Sequence, residues 1–226
     1  MRLYFPYLNK DIPLGEDAPT VLVLENKRVF RQTLLGFESE TVDESLTFSK
    51  NYEPFEFRKK GWFLPDPLDV DLENKKLMQK IYRWLEEAAN GEFCTELGEL
   101  REALVCFGDK LAGFCDFDCG YQFDIEAAAI IKLLQFRIDR EKVGPAEALL
   151  TFMRQTAKYL KTEIFVTANL HLYFEKEELD PFFETLALDH IRLLCLEQTL
   201  PETTGEVYII DKDLCVIDKG VDRDYN

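Results

Sequence analysis

The sequence predicts an α/β fold with a parallel or mixed core sheet, interrupted by a helical insertion. Three observations carry this. Short apolar runs alternate with amphipathic stretches in strand–helix–strand order at both ends of the chain, the arrangement expected of parallel strands covered by helices. The middle of the chain carries helical periodicity instead, with breaks at Gly and Pro. The 226 residues, 46% hydrophobic and with 18 Phe, suit one large domain or one domain with a sizeable insertion.

Taken in order, residues 2–7 alternate and end near Pro6, which reads as a strand. Residues 21–24 (Val-Leu-Val-Leu) form a buried strand. The charged stretch 25–31 then opens a helix ending at Gly36. Residues 52–64 contain Phe55, Phe57, Trp62 and Phe63, strand-like aromatics closed by Pro65 and Pro67. Leu77, Ile81 and Leu85 recur every fourth residue, and Leu97, Leu100, Leu104 and Phe107 at threes and fours. Ile131, Leu134 and Ile138 repeat the pattern, as do Leu149, Phe152, Met153, Ala157 and Leu160 after Pro145. Four helices are therefore expected between about 71 and 161, with breaks at Asn90-Gly91, around 113–121 and at Gly144-Pro145. Residues 164–166 read as a strand, 175–188 as an amphipathic helix and 191–196 as a second buried strand. Residues 207–210 and 214–217 read as a hairpin around Asp211-Lys212-Asp213. The predicted division is an α/β head from 1–72 and 163–226, with a helical leg from 73–162.

Charge is the unusual quantity. Lys and Arg number 27 against 43 Asp and Glu, a net of -16, which at face value argues against a nucleic-acid binder. It is unevenly spread: 73–162 holds 13 basic and 15 acidic residues, the remainder 14 and 28. Lys10 and Asp11 interrupt the apolar opening before a signal-peptide core forms. No purely apolar run exceeds the five residues of 127–131, far short of the ~20 of a membrane span. Six scattered cysteines without a C-x-x-C, and two histidines far from Cys115 and Cys119, suit reduced thiols in a cytoplasm better than a disulfide framework or a zinc site.

Several chemistries lack their residues. There is no G-x-x-x-x-G-K-[ST], no G-x-G-x-x-G after a strand and no G-x-S-x-G; the first strand-to-helix turn reads Glu25-Asn26-Lys27. His171 and His190 have no evident nucleophile partner and are expected to be structural or surface residues. Two constellations remain. Asp116, Asp118, Asp124 and Glu126 cluster around Gly120 between two helices. That is either an oxygen-donor set for a hard cation or a solvated loop with Asp124 capping the next helix. It does not match the helix–loop–helix calcium loop, since position 5 would be Gly120 and position 12 Ala127. Lys76, Lys80 and Arg83 stand at i, i+4 and i+7 on one helix face; Arg154, Lys158 and Lys161 repeat that spacing, and Lys132, Arg137, Arg140 and Lys142 add to it. These stripes read either as tracks for a phosphate backbone or as ordinary solvated faces.

The ordered set of segments resembles a known family. Leu3-Tyr4-Phe5-Pro6-Tyr7-Leu8 and Pro19-Thr20-Val21-Leu22-Val23-Leu24-Glu25-Asn26 are followed by Tyr159-Leu160 running into Ile164-Phe165-Val166. Tyr173-Phe174-Glu175-Lys176-Glu177-Glu178-Leu179, Ile191-Arg192-Leu193-Leu194-Cys195-Leu196-Glu197 and Val207-Tyr208-Ile209-Ile210-Asp211-Lys212-Asp213 complete it. Together they are similar to the CRISPR-associated spacer-acquisition (adaptation) proteins of type II-A systems. The resemblance implies a head related to phosphate-loop NTPases but without the phosphate loop, and an inserted helical leg. It also implies a cytoplasmic homotetramer that closes a ring on double-stranded DNA ends without reading sequence. Bound Ca2+ would be held by Asp116, Asp118, Asp124 and Glu126. The DNA-facing lining expected from helix spacing is Lys76, Lys80, Arg83, Lys132, Arg154 and Lys158. The implied partners are the CRISPR integrase and the RNA-guided effector nuclease, with no membrane, no nucleotide and no catalytic residues. Two other readings stand beside it: a protein–protein adaptor whose acidic head docks basic partners, and a metal-dependent phosphoesterase using the 116–126 carboxylates.

Overall fold

The computed structural model describes residues 1–8, 10–39, 46–122, 125–138, 144–202 and 206–218. The chain opens with β1 (Arg2–Tyr4) and β2 (Ile12–Pro13), then β3 (Thr20–Leu24) and α1 (Lys27–Glu38). Next come β4 (Thr47–Lys50), β5 (Glu53–Phe55), the single turn α2 (Phe57–Lys60) and β6 (Gly61–Leu64). Four helices follow: α3 (Lys75–Asn90), α4 (Cys94–Phe114), α5 (Ala127–Leu134) and α6 (Pro145–Leu160). The chain continues through β7 (Ile164–Ala168), α7 (Leu170–Tyr173), α8 (Lys176–Leu188), β8 (Arg192–Glu197), β9 (Glu206–Ile210) and β10 (Val216–Asp218).

Among the described residues the main sheet has six strands in the order β10-β9-β3-β8-β7-β6. The four pairings that join β9, β3, β8, β7 and β6 are parallel, and β10 runs antiparallel to β9. The fold is thus α/β, as expected. Every residue of β3 and β7 is buried, the continuous apolar run that burial on both faces demands. A second, antiparallel sheet of order β2-β1-β4-β5 is built from strands on either side of β3 and α1 in the chain. Phe37, Phe48 and Phe57 pack together between α1, β4 and α2 with ring centroids 5.0–6.1 Å apart, so aromatic contact area anchors the small sheet. The 52–64 segment is therefore not one strand but β5, α2 and β6. Its one helical turn also places Arg58, whose guanidinium donates to Phe37 O at 2.7 Å and Gly36 O at 3.1 Å, satisfying carbonyls that α1 leaves open at its C-terminus. This is why α1 runs on past Gly36 to Glu38.

The chain divides into two compact units, Met1–Leu72 with Arg140–Asn226, and Glu73–Asp139. The sequence carried the helical leg on to residue 162, because α6 has the same periodicity as the helices before it. Its apolar face decides otherwise. Leu149, Phe152 and Met153 are buried, Phe152 meets Trp62 of β6 edge-on at 5.4 Å, and α6 packs against α8. The second unit comprises α3, α4 and α5, of which α3 and α5 pack most closely. Among the described residues no helix is long and apolar enough to cross a membrane.

Two local features of the first unit bear on stability. Glu163, just before β7, accepts from Lys50 and from Lys60 Nζ, the latter at 2.9 Å. Those two hydrogen bonds, Lys50 first, hold its carboxyl below the ordinary carboxylate range. Because the folded value is depressed, the resulting stability is present above the unfolded value and lost as pH falls through the folded one. Glu163→Gln is expected to melt below the wild type at pH 7, with the difference in thermal melts shrinking as pH falls below the ordinary carboxylate range. A constant difference across that range would contradict the assignment. Cys195, fully buried on β8, is the second feature: burial first, then the charge of Glu197, pushes its thiol far up.

Candidate nucleic-acid interface

Asn74 starts α3 by accepting from Lys76 N at 3.1 Å and Leu77 N at 3.4 Å, the usual way an N-cap satisfies first-turn donors. That fixes the helix phase. Leu77 turns inward and is fully buried, while Lys76, Lys80 and Arg83 are exposed along one side. The predicted basic stripe therefore exists on α3. Arg83 Nε pairs with Glu87, one turn on, at 3.2 Å, an exposed pair of small net worth. Lys76 and Lys80 make no ion pair among the described residues. On α5, Ile131 is buried and its neighbour Lys132 exposed. Arg83 and Lys132 line the same cleft of about 720 Å³ between α3 and α5, together with Lys75, Glu73 and Glu86. Lys75 was not singled out in the sequence, because the i, i+4, i+7 rule selects a line and misses a neighbour one residue off it.

The other two basic residues lie in the first unit. Arg154 is exposed on α6 and its Nε meets Asp189 Oδ2 at 2.7 Å. The ammonium of Lys158 stands 5.1 Å from the centroid of the Tyr159 ring. Both line one shallow depression with Asp189. The structure thus brings Arg83 to Lys132, and Arg154 to Lys158, with Lys76 and Lys80 in line with Arg83.

Of the acidic set, Asp116, Asp118 and Glu126 are exposed and make no ion pair among the described residues. Asp124 lies outside them. Among the described residues no three His, Cys, Asp or Glu side chains converge as a metal group. Glu126 stands at the N-cap of α5 without a side-chain cap bond. Nearby, Tyr121 donates to Asp109 Oδ1 at 2.6 Å, with Val105 O also at 2.9 Å, and the bond to Asp109 raises the phenol.

In open parallel sheets the carboxyl ends of the strands are where ligands bind. Here that edge is occupied by the chain's own side chains. After β3, Asn26 Oδ1 accepts from Arg28 N at 3.1 Å and Val29 N at 3.3 Å, and its Nδ2 donates to Lys212 O at 2.8 Å. The amides that a phosphate loop would offer to an anion are therefore capped from within. At the end of β8, Glu197 accepts from His171 N at 3.3 Å and lies 2.8 Å from His171 Nδ1. The two side chains are 4% and 9% exposed. A carboxylate so buried persists only with partners, and His171 supplies them. What the sequence missed is Glu197 as its partner; the signal was a carboxylate ending the apolar run 193–196. His190 is exposed, 3.7 Å from Glu16.

An α/β unit whose first strand-to-helix turn is capped by Asn26, joined to a helical unit that bears a basic stripe on α3, defines an α/β protein with a helical insertion. The chain belongs to the CRISPR-associated protein family (Cas_Csn2), whose model matches residues 41–214. Its members act in type II-A CRISPR adaptation, and so the family is the one the sequence resembles. A comparison with curated proteins gives no match.

Proposed function

We propose that this chain is a non-catalytic, sequence-independent binder of double-stranded DNA ends. Four copies close a ring that holds duplex during spacer acquisition, alongside the integrase and the RNA-guided effector nuclease in the cytoplasm. The observation that carries the reading is the exposed stripe Lys76–Lys80–Arg83 on α3, continued through the α3–α5 cleft by Lys132. Lysines without ion pairs release counterions when they meet phosphate, and they carry no sequence information. Arg154 and Lys158 contribute a second patch. The Asn26 cap supports a protein that neither binds nor hydrolyses nucleotide at the β3–α1 turn. Ca2+ would be held by Asp116, Asp118, Asp124 and Glu126, hard oxygen donors of the kind calcium selects. It would offset the acidic charge of the insertion.

The test is duplex binding with and without calcium, over a salt series, on linear DNA and on a covalently closed circle of the same sequence. Expected are binding to the linear form, steep weakening with salt and little binding to the circle. Equal affinity for both forms, or none at any calcium level, overturns the reading.

A further inference from the structure

Along α8 the first unit carries a groove of about 810 Å³. Lys176, Asp180, Glu184 and Leu188 follow one another at every fourth residue, so they form one ridge over roughly 18 Å of helix. Phe183 and Ala187 stand beside that ridge, and Asp17 and Pro19, just before β3, line the groove as well. Its apolar part is left uncovered where α8 ends, with Leu188 80% exposed. Asp17, Asp180 and Glu184 are exposed and make no ion pair among the described residues. Lys176 lies one turn before Asp180, and His190 meets Glu16 at 3.7 Å. Three carboxylates against one lysine leave the groove net acidic.

We propose that this groove docks a helical segment of another protein, one whose apolar edge carries Lys or Arg one turn apart. A large apolar side chain of that segment lies against Phe183, Ala187 and Leu188, and its basic residues meet Asp180, Glu184 and Asp17. A helix suits the α8 ridge, because side chains one turn apart on each partner interdigitate. Charge decides among the occupants. A nucleic acid sets phosphates against three carboxylates, which is unfavourable. A second copy brings a chain of net charge -16 and is repelled in the same sense. A basic segment gains twice: covering Leu188 removes apolar area from water, and the carboxylates find cations. The groove shares no residue with the stripe on α3, so this contact and the DNA-binding reading can fail separately.

The experiment is fluorescence anisotropy on the full chain with a labelled synthetic helical peptide, in which Leu and Lys each repeat one turn apart along one face. Two comparison peptides replace Lys by Glu or Leu by Ser. The wild type is expected to bind the Leu–Lys peptide about tenfold tighter or more than either comparison. Asp180→Lys with Glu184→Lys should weaken that binding about tenfold or more, and so should Leu188→Ala, while duplex DNA binding stays unchanged. Glu99→Lys with Glu102→Lys, exposed on α4, makes the same change in net charge and should leave peptide binding as it was. A wild type that does not bind the peptide, equal binding of a comparison peptide, or an equal loss from the α4 pair overturns the groove as a docking site. So does self-association, read by sedimentation velocity, that falls in Leu188→Ala while peptide binding stays, because a second copy then fills the groove.

Discussion

Reversing Lys76, Lys80 and Arg83 together to glutamate is expected to weaken duplex DNA binding by about 10³-fold or more near physiological salt. The slope of log affinity against log salt should fall by about three, one unit for each phosphate contact removed. All three side chains are exposed, and Glu and Lys have similar helix propensities, so α3 should persist and circular dichroism should match the wild type. Arg154→Glu with Lys158→Glu should cost less, because Arg154 is already paired with Asp189. Unchanged affinity in the triple variant would remove α3 from the interface and shift the reading toward an adaptor whose acidic first unit docks basic partners. Binding of such a partner, retained in the triple variant, would separate the two.

Phe152→Ala carries the largest expected loss of stability, about 3–5 kcal/mol. Phe152 is 1% exposed, lies edge-on to Trp62, and shares the inward face of α6 with Leu149 and Met153. Its removal leaves a cavity between α6 and the sheet edge that neighbouring side chains on two rigid elements fill poorly. For a chain of this size the melting temperature should drop on the order of 10 °C. A drop of 2 °C or less would mean that the site collapses around the alanine, or that α6 is not held where the structure places it.

Much of the fold was legible because its signals are local. Asn26 after an apolar run, Pro145 at a helix start and Asp211 in a turn declare themselves within four or five residues. The parallel strands do so too, since burial on both faces makes 21–24 and 193–196 continuously apolar. The small antiparallel sheet was not legible. β4 and β5 are short, half-exposed strands paired to each other, and β4 also pairs with β1 across more than forty residues; nothing in 46–55 announces that partner. The end of the insertion was also hidden, because periodicity tells that a helix has an inward face but not which core receives it. The same limit governs the site. Spacing put Lys76, Lys80 and Arg83 on one line correctly, yet it could not show Lys132 across the cleft from Arg83, nor Asp189 neutralising Arg154. Moving α6 out of the insertion also changes the charge reading. Residues 73–139 alone hold 8 basic and 13 acidic residues, so the near-neutrality of 73–162 came from α6 and its flanks. The basic stripe is a feature of one helix face, not of the inserted unit as a whole.

Cys195 gives the molecule a built-in clock. Cys94, Cys106, Cys119 and Cys215 are exposed and are open to a thiol reagent from the first second. Cys195 sits at the middle of the parallel sheet, with its proton held by burial and by the nearby Glu197. It reacts only when β8 leaves its neighbours, so the late phase of labelling measures how often the sheet opens, without added denaturant.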